Sequence, residues 1–290
     1  MDLTCNGMQR RYSDFHGYVI EHFSDLETTT EEYFTLDTGT DYLWKNFEQD
    51  LATLDHGTLF DSFNHINLLS ETFKPSEAFG LEDEIGEIVD QLIEDIKVAF
   101  KEWVEQIEFP QQKAEKFEFQ VGAKYINFNY TDTLESLYNL PKKDILYIHN
   151  KVNNYREELI FGHGLSEEPN PVSEDLDDEG NSNRTLFSDA QSSARYPFFA
   201  LMKNTNEIIE EHRDDFEHLR GFSEIIVLGH SLGKVDWPYF KLLHQKIPDA
   251  KWKISFYSKE ERDLLYSITH NEIAIGSEKI EMIRINDDII

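Results

Sequence analysis

Cysteine is nearly absent: the 290-residue chain has one, Cys5. Disulfides and thiolate metal sites within a single chain are thereby excluded, which fits a reducing compartment. Basic residues are also scarce. Against 57 Asp and Glu stand 27 Lys and Arg, a formal net charge of −30. Nucleic acids are gripped by Lys and Arg on their phosphates, so no nucleic-acid partner is expected, and anionic lipid is disfavoured for the same reason. Long hydrophobic runs are missing as well. No stretch approaches 18 apolar residues, and MDLTCNGMQRRYSDF lacks the apolar core of a signal peptide. The expectation is a cytoplasmic protein with no membrane partner. What is present suffices for a packed interior. Hydrophobic residues make up 39% of the chain, with 21 Phe and 13 Tyr, enough for one large domain or two smaller ones.

Apolar spacing predicts helices over Tyr12–Phe23, Asp41–Leu54 and, most strongly, Leu81–Ile107. In the last, Ile85, Val89, Leu92, Ile96 and Phe100 recur at three- and four-residue steps. Residues 1–118 therefore read as a mostly helical region packed on or inserted beside a sheet. After Gly122 the pattern changes. Strand-like runs occur at 125–129, 144–149, 158–162, 224–229, 251–257 and 279–285, with helices expected over 198–219, 237–247 and 259–268. Strands alternating with helices imply βαβ units, so residues 119–290 are expected to form an α/β, mainly parallel, Rossmann-like core. An acidic loop is expected at 166–195.

Three polar segments fall at predicted strand ends. The first is Asn127-Phe128-Asn129-Tyr130-Thr131-Asp132, where Asp132 with Glu135 three residues on has the capping-box spacing. The second joins Ile148-His149-Asn150 with Phe161-Gly162-His163-Gly164. The third is Gly229-His230-Ser231-Leu232-Gly233, followed by Asp236. In a parallel sheet these ends share one edge, where ligands collect beside helix N-termini. The third segment also matches G-x-S-x-G, the nucleophile elbow of α/β-hydrolases. An elbow serine turns straight from strand into helix, whereas here the next helix is predicted at Trp237-Pro238 with Asp236 as its N-cap. A serine hydrolase built on Ser231 is thus the minor reading. His149 and His163 lack a local carboxylate or thiol partner at ligand spacing, so no metal is expected.

Taken together, FNYTDTLESLY, YIH, LIFGHG and VLGHSLGKVDWPYF resemble the AbiH family of bacteriophage abortive-infection proteins, over roughly residues 40–260. That family looks distantly like the sirtuin-type NAD-binding fold, so the resemblance implies an anti-phage effector that binds and hydrolyses NAD or a related nucleotide. It implies that Asn129, within a segment that also offers Tyr130 and Asp132, touches the nicotinamide ribose or orients a water. His149 would act as general base on a ribose hydroxyl, with a ring pKa near neutrality suiting the task. Gly162 and Gly164, around His163, would admit backbone close to the ligand. Gly229, His230, Ser231 and Asp236 would line its phosphate or adenosine side. Asn6-Gly7 stands where the family carries its Gly-rich phosphate turn, here shortened, and Asn150 replaces a glycine. A catalytically inactive nucleotide-binding or interaction module is the alternative. The implied partners are a small nucleotide and a phage-derived trigger protein, with a homo-oligomer allowed.

Overall fold

The computed structural model describes residues 12–35, 47–107, 119–120, 122–153, 158–168 and 182–284. They form two compact units, each taken by itself below. One comprises Tyr12–Trp103 with Phe161–Met202; the other comprises Val104–Ile160 with Lys203–Ile290.

The first unit is helical. Its elements are α1 (Tyr12–His22), α2 (Ser24–Tyr33), α3 (His56–Phe63), α4 (Leu81–Glu105) and α5 (Ser188–Ala200). The 25 residues of α4 span about 37 Å at the helical rise. Glu82, Asp83 and Glu84 occupy its first turn, where the helix dipole favours negative charge. The stripe read from the sequence is the buried face: Ile85, Val89, Leu92, Ile96 and Phe100 are all inside. Phe100 sits in an aromatic cluster, 4.4 Å from Phe161, 5.5 Å from Phe15 and 5.8 Å from Phe47 between ring centroids. At α3 the carboxylate of Asp55 accepts the Thr58 N–H at 3.0 Å, a side-chain N-cap.

The second unit holds every strand among the described residues. These are β1 (Tyr125–Asn127), β2 (Ile145–Tyr147), β3 (Glu224–Val227), β4 (Lys251–Phe256) and β5 (Ile280–Arg284). Helices α6 (Thr205–Glu211), α7 (Trp237–Lys246) and α8 (Lys259–Ser267) alternate with the later strands. All pairings are parallel: β1 with β2, β3 with β4, and β4 with β5. The core gathers Ile148, Val227, Leu232, Tyr239, Trp252 and Ile254. Trp252 and Ile254 are fully buried, as expected for a strand flanked on both sides.

The fold is thus mixed α/β with small parallel sheets. One continuous sheet is not what the described residues show. They form a two-stranded sheet, β1-β2, and a three-stranded sheet, β3-β4-β5, with no strand among them joining β1 to β3. A cavity of about 280 Å³ lies there instead, lined by Lys124–Asn129 along one side and Glu224–His230 along the other.

Several sequence expectations need correction. Residues 158–162 are irregular rather than a strand, because the Ile160 N–H is spent on the His149 carbonyl beyond the end of β2. The helix expected over 198–219 is three pieces, α5, α6 and Arg213–Glu217. Asn204 divides them by capping α6 through the Glu207 N–H. The loop expected to 195 ends by Ser188, where α5 begins. The first part of the helix expected over 41–54 lies outside the described residues, and its end is a turn at Phe47–Asp50 running into a 3-10 turn. No helix among the described residues is long and apolar enough to cross a membrane.

Candidate functional site

The carboxyl ends of β1, β2 and β3 each leave their strand through a polar turn. After β1, the buried Asn127 organises the turn. Its Oδ1 accepts the Asn129 N–H at 3.0 Å and the Asn129 side-chain amide at 3.2 Å, while its own amide donates to the Thr131 carbonyl at 3.3 Å. Asn129 lines the cavity. The helix expected after Asp132 is a single turn, Thr133–Ser136, and Asp132 makes no side-chain cap. Its carboxylate accepts the Ser136 hydroxyl instead, and Glu135 pairs with Lys151, so neither half of the capping box forms. Tyr130 reaches across to the Ile160 carbonyl at 3.2 Å.

After β2 the chain turns through Asn150, whose φ of +62° is one that asparagine tolerates better than most residues. His149 is carried inward. Its side chain is only 3% exposed, packed against Phe128, Tyr130 and Tyr239. After β3, Gly229 (φ +58°) donates its N–H to the Ser255 hydroxyl at 2.8 Å, and Leu232 is held at φ +52°. A left-handed leucine is strained backbone, and here it is fixed by two bonds. The Leu232 N–H donates to His230 Nδ1 at 2.8 Å, and its carbonyl accepts the Trp237 indole at 2.8 Å. Because Nδ1 of His230 is accepting, the neutral ring carries its proton on Nε2. That nitrogen lies 3.4 Å from Asp236 Oδ2.

Asp236 is the centre of the arrangement. Helix α7 starts at Trp237 with proline in its first turn, as predicted, yet Asp236 does not cap it. Its carboxylate turns inward and meets three basic groups: Lys203 at 3.1 Å, His230 at 3.4 Å and His149 at 3.6 Å. Burial alone would raise this carboxyl. The Lys203 ammonium and the His230 N–H outweigh burial and hold it well below the ordinary carboxylate range. Burial drives the other way on His149, with the Lys203 charge adding to it, and the ring is pushed down to about 3 despite the attraction of Asp236. The near-neutral ring expected from the sequence is therefore a buried, uncharged imidazole.

Other expected site residues are not among the groups that meet Asp236. Gly162, His163 and Gly164 belong to the helical unit. There both His163 nitrogens are used, Nε2 on the Phe198 carbonyl at 2.8 Å and Nδ1 on the Leu165 N–H at 3.3 Å. Ser231 is exposed, and no bond joins it to His230, whose nitrogens are already committed. Asn6 and Gly7 lie outside the described residues. Lys203 was not anticipated. The signal was Asn204 with Glu207, a capping pattern that places Lys203 at a helix junction. Possible metal ligands occur in one grouping among the described residues, His16, Glu27 and Glu31 of the helical unit, with Glu31 exposed.

The cluster predicts acid sensitivity. Below about pH 6.5 the unfolded chain protonates His149, while the folded ring refuses the proton until about pH 3. Stability present above pH 6.5 is therefore lost as pH falls through that window, by at most about 1.4 kcal/mol per pH unit for one proton. Urea unfolding at pH 7, 6 and 5 should show a shallower fall in His149→Gln than in the wild type. Equal slopes would refute the assignment.

Compared with known proteins, the sequence matches the family described as "Bacteriophage abortive infection AbiH" over residues 2–257. No curated protein and no solved structure matches it.

Proposed function

The chain belongs to the AbiH family of bacteriophage abortive-infection proteins, and from that premise we propose that it binds a nucleotide at the carboxyl ends of β1 and β3 and hydrolyses NAD. The observation that carries this reading is the Asp236 cluster. Four ionisable side chains from three segments meet at the strand ends, beside a cavity that Asn129, Gly229 and His230 line. Buried charge is costly and in a soluble fold is commonly retained for function. Parallel strands alternating with helices suit a Rossmann-like, sirtuin-like framework, which takes nucleotides at that edge. On this reading Asn129 contacts the ribose, and His149 accepts its hydroxyl proton once ligand binding has rearranged the buried ring.

The test is nicotinamide release from NAD by the full chain, with and without lysate of phage-infected cells as the source of trigger. Asn129→Ala and His149→Ala are each expected to reduce turnover about 100-fold or more, the usual worth of a general base. No release under either condition defeats hydrolysis. A second reading, nucleotide binding without turnover, is favoured by the low basicity of His149. Calorimetric binding of NAD or ADP-ribose without release would support it, and no binding would remove both.

A further inference from the structure

We propose that Lys203 is a positioning residue: its ammonium beside Asp236 keeps that carboxylate ionised without a proton from His149, and so leaves the His149 Nε2 lone pair bare. Only the use of that lone pair by a ribose hydroxyl rests on the nucleotide-site reading.

The argument starts from chain geometry. Lys203 lies between α5 and α6, and the segment is pinned beside Asp236 by the Thr205 hydroxyl, which donates to the Val235 carbonyl at 3.0 Å. The Lys203 side chain is 1% exposed and that of Asp236 10%, so water screens their 3.1 Å contact poorly. His149 hydrogen-bonds the Phe128 backbone. Its Nε2 has no hydrogen-bond partner among the described residues, although it points toward Asp236 Oδ1 at 3.6 Å. Since Nε2 has no such partner, the ring N–H that faces the Phe128 backbone is Nδ1–H, and the neutral tautomer has no proton on Nε2.

Two acceptors therefore face each other, and an arrangement of this kind normally captures a proton. Lys203 prevents it. One cation already compensates the carboxylate, and a second charge on His149 would leave the pocket with an excess of positive charge. Among the described residues the charged and titratable groups acting on His149 are Lys203, Asp236 and His230, with the rings of Phe128, Tyr130 and Tyr239 packed against it.

The experiment is ¹⁵N NMR of the histidine side chains in the ligand-free full chain, with His149 assigned by its absence in His149→Gln. In the wild type at pH 6 the ring should be neutral, protonated on Nδ1. Lys203→Met should raise its pKa by about 1–3 units, as an unopposed carboxylate at this range does. Lys203→Arg should restore wild-type titration, and so should Lys203→Met combined with Asp236→Asn. An Nε2-protonated or imidazolium ring in the wild type overturns the proposal without any variant, as does a Lys203→Met titration matching the wild type. The readout involves no nucleotide, so failure of NAD binding leaves it intact.

Discussion

Asp236→Ala is expected to cost the sheet unit about 3–5 kcal/mol, the range for breaking a buried ion pair by removing one partner. The reason lies in what remains. Lys203 stays 1% exposed with its 3.1 Å counter-charge gone, and the His230 Nε2 proton loses the carboxylate 3.4 Å away. The size of the effect reflects stranded charge more than lost attraction. Lys203→Met combined with Asp236→Asn should therefore recover most of the loss, since removing both charges leaves nothing uncompensated. An exposed pair is the contrast. Arg262 and Asp263 approach to 3.0 Å in solvent, where such pairs are worth about 0–1 kcal/mol, and Asp263→Ala should be near neutral. Urea unfolding of the four proteins at pH 7 decides the matter. An Asp236→Ala loss below about 1 kcal/mol would mean that the carboxylate is not the compensating charge.

How much of this was legible in the sequence depends on the range of the interaction. The α4 stripe was readable because helical period and burial coincide over seven turns, and Ile85 through Phe100 are inside as spaced. The start of α7 was readable from Pro238, and α8 starts where expected, with the Ser258 hydroxyl accepting the Glu261 N–H. Short-range patterns failed where a distant partner offered more. Asp132 and Asp236 both have the sequence context of an N-cap, and neither caps. Asp132 takes the Ser136 hydroxyl; Asp236 takes His230 from its own loop, with Lys203 from 33 positions away and His149 from 87 positions away. No local pattern carries that information. The same holds for Lys203, a buried lysine whose counter-charge is Asp236.

The histidines show the limit most clearly. His149, His163 and His230 all stand beside Gly or Asn at expected strand ends, and the sequence treats them alike. Their chemistry diverges with their second nitrogen. His163 is spent on backbone in the helical unit, His230 is locked as a donor to Asp236, and His149 retains an Nε2 with no hydrogen-bond partner among the described residues. Residue type fixes what an imidazole can do; only the surrounding donors and acceptors decide which form it holds.

In the helical unit the largest expected loss comes from Phe100→Ala, about 3–5 kcal/mol. Phe100 is wholly buried on α4, with Phe161, Phe15, Phe47 and Trp103 around it. Aromatic neighbours are rigid and large, and four of them meet at one side chain, so the walls have little freedom to close on the space left by the ring. The cost should therefore fall toward the upper part of the range, where transfer and cavity penalties both count. Phe100→Leu, which restores much of the volume, should recover more than half. Phe79, 79% exposed, is the control, and Phe79→Ala should change stability by no more than about 0.5 kcal/mol. Trp103 lies 5.8 Å from Phe100 within the same unit, so its environment follows the unit's unfolding. Urea denaturation in a variant keeping Trp103 as its sole tryptophan gives the comparison. A Phe100→Ala midpoint equal to that of Phe79→Ala would show that this aromatic cluster does not hold the helical unit together.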